Sequence, residues 1–349
     1  MIKPKRLQPG NTVAIVSLSW GGLGEAELLH KYELGKQRLE QEFGLKVVAM
    51  PHALKGSEFV ANHPELRAQD LMQAFADSSI QGIICAIGGD DTIRLLPYID
   101  YDIIRSNPKI FMGFSDTTAN HLMLYKAGVV SYYGPCLMCD FAEYGAMFDY
   151  TKEYIKKTLF EQHNRLEIKP SPVWTDETLP WLAENIHKKK RLIKETVGYE
   201  CLQGSGKVTG PLLGGCIDAF MIYNGTSIWP TKSEFEGKLL FLETSEDYPT
   251  PALLTWLLRN LAAQGIFEVI HGILFAKPMD EKYYEEYKAV LLQVIAIEER
   301  LPKLPILYNL NFGHSTPRCI LPYGVEAEID CEEKTLALIE FATESIITH

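Results

Sequence analysis

The chain lacks an excess of positive charge. Its 349 residues carry 34 Lys and Arg against 45 Asp and Glu, a net charge of −11. This argues against a nucleic-acid polymer as partner, since such binders present a basic face; it does not exclude a small anionic substrate. Long apolar runs are also missing. The opening run Thr12-Val13-Ala14-Ile15-Val16-Ser17 is too short to span a membrane and reads as a buried strand. The segment before it lacks the apolar stretch and cleavage site of a secretory signal, so the expected location is the cytoplasm, with no membrane partner. The seven cysteines are scattered. Cys136 and Cys139 form a CxxC, but no second pair has zinc spacing, so reduced, buried thiols and no metal are expected. Nucleotide fingerprints are incomplete. Gly204-Ser205-Gly206-Lys207 has Val208 where a P-loop needs a hydroxyl, and Cys201 where it needs its first glycine. Gly21-Gly22-Leu23-Gly24 is not GxGxxG. No cofactor is expected.

What is present is an alternation of patterns. Apolar runs at 12–17, 46–50, 81–87 and 109–114 read as strands, and helical spacing fills 25–43, 64–76 and 118–126. Strands alternating with helices predict a parallel sheet built of right-handed βαβ units. Composition shifts near 161–207, where Lys169-Pro170-Ser171-Pro172, Trp174, Trp181 and the basic run Lys188 to Arg191 fall. Strand patterns resume at 238–242, 272–276 and 305–310, with helices at 251–263 and 281–299. The expected organisation is an N-terminal α/β domain over 1–165, a linker and substrate loop over 166–204, and a mixed α/β domain over 205–349.

Gly113-Phe114-Ser115-Asp116-Thr117 stands where an apolar run gives way to a helical pattern. A sharp strand-to-helix turn lifts one side chain clear of the sheet and aims backbone N–H groups at what it attacks, which makes Ser115 a candidate nucleophile. The same residues also serve as ordinary helix capping, with Asp116 suited to the positive helix end. A serine needs a base. His314, in Asn311-Phe312-Gly313-His314, follows an apolar strand in a Gly/Pro-bounded loop, where a satisfied loop histidine would equally fit. Glu243 ends the run Leu239-Leu240-Phe241-Leu242 and could hold an imidazole tautomer; the alternative is a helix-start acid cluster ahead of Pro251, a role that Glu246 and Asp247 fill better than Glu243. The Gly88-Gly89 turn could give one oxyanion N–H, with Asp116 giving the other, though Gly-Gly also fits a tight turn.

These pieces, taken in order, resemble the LD-carboxypeptidase family of serine peptidases (peptidase family S66). They are Arg67-Ala68-Gln69-Asp70-Leu71, Ile87-Gly88-Gly89-Asp90-Asp91, the Ser115 pentapeptide, Gly210-Pro211-Leu212-Leu213-Gly214-Gly215, Leu242-Glu243 and Phe312-Gly313-His314. The resemblance implies a Ser115, Glu243, His314 triad, oxyanion donors at Gly89 and Asp116, a site in an interdomain cleft, and a homodimer. It leans toward the microcin C7 self-immunity (MccF-like) branch, through Asp90-Asp91 after Gly-Gly and the loop holding Trp174 and Trp181. That branch implies an acylated or peptidyl aminonucleotide substrate, a nucleobase stacking on an aromatic ring; tryptophans anchoring a long loop are the alternative. Cys216 stands where the family usually has Asn. The other branch implies a muropeptide substrate of cell-wall recycling, which needs a cation for a terminal carboxylate; Lys277 is the candidate, or an ordinary strand-end lysine. A non-catalytic small-molecule binding module is the reading from another class.

Overall fold

In the computed structural model, which describes residues 1–345, the chain divides into two compact units. The first comprises residues 1–162, 177–190 and 342–345; the second comprises 163–176 and 191–341. The segment rich in Trp and Lys is thus shared. Its middle, with Trp181 and Lys188 to Lys190, belongs to the first unit, and its flanks, with Trp174 and Arg191, to the second.

The first unit holds five parallel strands in the order Tyr132–Tyr133, Ile110–Gly113, Ile80–Cys85, Thr12–Val16, Lys46–Ala49. The three central strands are almost entirely buried, which is why they read as near-continuous apolar runs. Helices Leu29–Phe43, Pro64–Ala76 and Thr118–Ala127 connect or flank them. Pro64 opens its helix, where a missing N–H costs nothing, and Gly44 and Gly128 end theirs in the left-handed conformation.

The second unit is built on an eight-stranded mixed sheet. Four parallel strands, Lys207–Cys216, Leu239–Glu243, Gly272–Ala276 and Ile306–Leu310, form its centre. Antiparallel strands extend both sides. Lys207–Cys216 changes partner midway. Lys207 to Pro211 pair antiparallel with Glu326–Asp330, and Leu212 to Cys216 pair parallel with Leu239–Glu243. Pro211, with no N–H to donate, stands at the changeover. Gly214 is obligatory: a Cβ there would lie 1.8 Å from the Phe241 carbonyl oxygen. The predicted helix over 281–299 is Tyr284–Leu291 followed by a wider helical turn, Leu292–Glu298. No helix among the described residues is long and apolar enough to cross a membrane.

Candidate active site

In the first unit the buried strand Ile110–Gly113 ends in extended Phe114, and Ser115 follows at φ 65°. A left-handed serine costs about 1–2 kcal/mol, and the surroundings hold it there. Its backbone N–H donates to Tyr133 Oη at 3.0 Å, and Thr118 Oγ1 donates to its carbonyl at 2.7 Å. Behind it, His121 Nε2 donates to the Gly113 carbonyl at 2.9 Å while Nδ1 meets Ser131 Oγ at 2.8 Å. Burial drives the His121 pKa down to about 3, against the pull of that carbonyl, so the ring is a neutral strut. Gly88 faces the serine: a Cβ there would lie 2.8 Å from Ser115 Cβ and 3.1 Å from Oγ. The Gly88-Gly89 turn and the serine therefore share one spot.

The Asp116 carboxylate finds partners outside its own helix. Buried, it accepts from Ser19 Oγ at 2.6 Å and from the Thr92 N–H at 2.9 Å, and Ser19 Oγ accepts in turn from the Asp91 N–H. Asp116 thus ties the serine turn to the loops after two other strands. Arg67, 1% exposed, completes the tie: it donates to the Leu18 and Ser19 carbonyls and to Asp91 Oδ2 at 2.8 Å. Ser19 and Tyr133 carry no chemical signature in the sequence and are visible only in three dimensions, as is the part Asp91 plays here. Asp90 and Gly89 are exposed beside them.

Trp181 belongs to this neighbourhood. It stacks on Trp20 with ring centroids 6.3 Å apart, and the Trp20 backbone N–H donates to the Gly88 carbonyl at 3.2 Å. Beneath Trp181 lies Lys31, buried, bonded to the Met138 and Ala142 carbonyls, its pKa lowered to about 8 by burial despite nearby Glu143. Glu143 pairs with Lys190 at 2.8 Å. Part of the basic run is therefore spent on a largely buried ion pair rather than on solvent, and Arg191 pairs with Asp176.

In the second unit, Glu243 ends its strand 1% exposed. It accepts from His314 Nδ1 at 2.7 Å and from the His314 backbone N–H at 3.2 Å. Gly313, at φ 73°, permits this, since a Cβ would fall 2.4 Å from the Glu243 carboxyl carbon. The other ring nitrogen, Nε2, meets Glu246 Oε2 at 2.7 Å. Burial alone would lower the His314 pKa; Glu243 and Glu246 outweigh it and push it up to about 10. His314 is an imidazolium at neutral pH, donating from both nitrogens. Glu246, held mainly by that hydrogen bond, drops to about 2 although its side chain is 60% exposed.

Cys216 is the ladder partner of Glu243. Its Sγ, a Glu243 oxygen and a His314 nitrogen lie within 4.8 Å of one another. The fit to a metal is poor. The 2.7 Å Nδ1 to Oε2 contact is a hydrogen bond with no room for an ion between, and burial plus Glu243 hold the thiol well above its usual pKa, where a metal requires thiolate. Lys277 is 1% exposed and spends its charge on Glu195 at 3.1 Å and Glu281 at 2.5 Å, over the ring of buried Trp174. The structure gives Trp174 to that cluster and Trp181 to the serine's unit.

Residues 13–134 match the LD-carboxypeptidase N-terminal domain and residues 209–329 the LD-carboxypeptidase C-terminal domain. A solved structure of an MccF-like protein from Streptococcus pneumoniae, in complex with AMP, is 41% identical. The match covers 95% of this chain and 99% of that one, with a TM-score of 0.87. The microcin C7 self-immunity protein MccF of Escherichia coli is 29% identical over 346 residues, 96% of this chain and 94% of its own. A solved structure under the same protein name, in complex with aspartyl sulfamoyl adenosine, is 27% identical over 99% of this chain and 100% of that one, with a TM-score of 0.84. A Bacillus subtilis relative named "Probable murein peptide carboxypeptidase" is 28% identical over 348 residues, 97% of this chain and 94% of its own. The chain belongs to the LD-carboxypeptidase family, peptidase family S66, and is a serine-type carboxypeptidase.

Proposed function

We propose that Ser115 is the nucleophile, His314 the base and Glu243 the acid that orients it, and that the substrate is an acylated or peptidyl aminonucleotide of the microcin C kind. The observation that carries the reading is the strained serine turn itself. A left-handed Ser115 at a strand end, backed by Gly88 and braced by Tyr133 and His121, is costly structure with no packing purpose. On this reading His314 Nε2 serves Ser115 Oγ. His314 takes the hydroxyl proton as Ser115 attacks the amide carbonyl, and the Gly89 and Asp116 N–H groups hold the oxyanion. The amine leaves with that proton, and water resolves the acyl-enzyme through the same base. The protein works in the cytoplasm as a homodimer.

The nucleotide half of the proposal rests on Trp181 and Trp20, an aromatic pair beside Gly88 that offers a base a stacking face. It is supported by the AMP and aspartyl sulfamoyl adenosine complexes of the related proteins. The B. subtilis relative keeps a muropeptide substrate as the second reading; Lys277, already neutralised, is a poor receptor for its terminal carboxylate. Incubation with an aminoacyl sulfamoyl adenosine and with a tetrapeptide stem, read by mass spectrometry, separates the two. Cleavage of the first alone is expected. A fluorophosphonate should label the wild type and not Ser115→Ala, which should lose about 10⁴-fold or more in kcat. Equal labelling or near-full turnover in the variant would remove Ser115 from the mechanism, and no labelling of either would favour a binding module.

A further inference from the structure

The CxxC of the sequence has no part in the chemistry described above, yet within the first unit it is joined to the serine turn. Cys136, in extended conformation, opens a wide helical turn, Leu137–Phe141. Its carbonyl accepts from the Asp140 N–H at 3.2 Å, and its own N–H donates to Asp140 Oδ2 at 2.9 Å. Cys139, three residues on, comes back to the same side. The two thiols meet: burial first, and then the Cys139 thiol, hold the Cys136 thiol well above its usual pKa. Cys136 is buried, whereas Cys139 is only half-buried.

This turn is tied to both sides of the nucleophile. Gly134, two residues before Cys136, donates its N–H at 3.0 Å to the carbonyl of Gly113, two residues before Ser115. Met138, between the cysteines, donates its N–H at 2.9 Å to the carbonyl of Ala86, two residues before Gly88. The Met138 carbonyl accepts from Lys31 Nζ at 3.3 Å, and Lys31 lies under the Trp181 ring and close to both sulfurs. Gly88 has no slack, since a Cβ there would lie 2.8 Å from Ser115 Cβ. A displacement of Met138 is therefore passed through Ala86 to Gly88, and from Gly88 to Ser115.

We propose that Cys136 and Cys139 are an oxidative modification site, where a peroxide forms a disulfide that turns the serine site off and a thiol reductant turns it on again. The inference uses the Ser115 reading only for what is switched. Cys139 is the thiol that solvent reaches, and the Lys31 ammonium beside it favours the thiolate. That thiolate attacks one peroxide oxygen. The O–O bond breaks, the sulfur is oxidised to a sulfenic acid, and the other oxygen leaves as water with a proton from solvent. The Cys136 thiol then attacks the oxidised sulfur. The S–O bond breaks, and the hydroxide leaves with the Cys136 proton as a second water. Two thiols and one peroxide become one disulfide and two waters. Sulfurs now in hydrogen-bond contact are drawn to covalent distance, and Met138, which lies between them, moves. Cys331 meets Cys201 in the same manner, but in the second unit, away from the ties just described, so that pair is the internal control.

The test treats the reduced protein with hydrogen peroxide, then alkylates and digests it. The tryptic peptide 127–152 carries both thiols and no other cysteine. It should lose two hydrogens and take up no alkylating agent. As it does so, turnover of aspartyl sulfamoyl adenosine and fluorophosphonate labelling should fall by about tenfold to a hundredfold, the scale of a small misplacement at a catalytic centre. Tryptophan emission should change in step, because Trp20 is bonded to Gly88 and Trp181 lies over Lys31. Dithiothreitol should reverse all three. Cys139→Ser, or Cys139→Ala if the hydroxyl is not tolerated, should keep the activity of the reduced protein and lose the peroxide response; Cys201→Ser should keep both. A peptide 127–152 that stays reduced would overturn the proposal. So would an activity loss that survives in the Cys139 variants, that vanishes in Cys201→Ser, or that dithiothreitol does not reverse. A reduced wild type that neither turns over this substrate nor takes the label would count against the Ser115 reading instead, and the disulfide with its emission change would still decide this one.

Discussion

At the scale of single residues, Asp116 shows how the partners of one side chain can escape a local reading. Its position after Ser115 reads as helix-start chemistry, yet its carboxylate is spent on Ser19 Oγ and the Thr92 N–H. Those partners lie 97 and 24 residues away in sequence, so no local pattern announces them. The structure separates two possible contributions of this residue. Asp116→Ala keeps the backbone N–H proposed for the oxyanion and removes only the carboxylate. It leaves the buried Ser19 hydroxyl and Thr92 N–H without their acceptor, at a cost of about 1–3 kcal/mol. Thermal unfolding should show that loss, and kcat should fall more than KM rises, since the Gly88-Gly89 turn loses its anchor to the serine. A fully active, fully stable Asp116→Ala protein would show that the tie is dispensable. Glu246 is the converse case. Grouped by sequence with Asp247 as an acid cluster ahead of a helix, it is found on the His314 ring instead.

At the scale of elements, most of the architecture was legible because each buried strand writes its own apolar run. The Ile80–Cys85, Ile110–Gly113 and Leu239–Glu243 strands fall where continuous hydrophobicity places them, and the helix Pro251–Ala263 where Pro251 opens it. The strand Lys207–Cys216 was not legible as a strand. Three glycines, Gly210, Gly214 and Gly215, and the internal Pro211 suppress the pattern, because what shapes this segment is close approach and a change of partner rather than side-chain burial. Its glycines make a sharp prediction. Gly214→Ala places a Cβ 1.8 Å from the Phe241 carbonyl oxygen, a distance no rotamer relieves, so the parallel pairing of Leu212 to Cys216 must shift. The loss should exceed about 3 kcal/mol, as overpacking against backbone does at its worst, and should appear as insoluble or early-melting protein in thermal unfolding. Gly206→Ala, with nothing within 4 Å of its Cβ, is the matched control; its φ of 73° costs only about 1 kcal/mol. Equal melting of the two variants would show that the sheet accommodates the contact.

At the scale of the whole molecule, the Ser115 turn and the His314–Glu243 pair were each legible from residue types at strand ends, and each lies within its own unit. What sequence could not reveal is the charge environment in which His314 rests. That environment is visible in global stability. His314 has a folded pKa of about 10 against an ordinary 6.5, so its contribution is complete below about 6.5 and is lost as pH rises through 10. Glu246 has a folded pKa of about 2 against 4.5, so its contribution is complete above about 4.5 and is lost as pH falls through 2. The ion pair therefore stabilises the fold most between about pH 4.5 and 6.5. Denaturant unfolding of wild type and Glu246→Gln across pH 4 to 10 measures this directly. The wild type's advantage should be greatest in that window and should shrink steadily on the alkaline side, where the unfolded chain has already released the proton that folded His314 retains. The exposure of Glu246 keeps the size of the advantage small, so its shape with pH is the diagnostic. A flat difference from pH 5 to 9 would mean that Glu246 does not hold the His314 proton in solution.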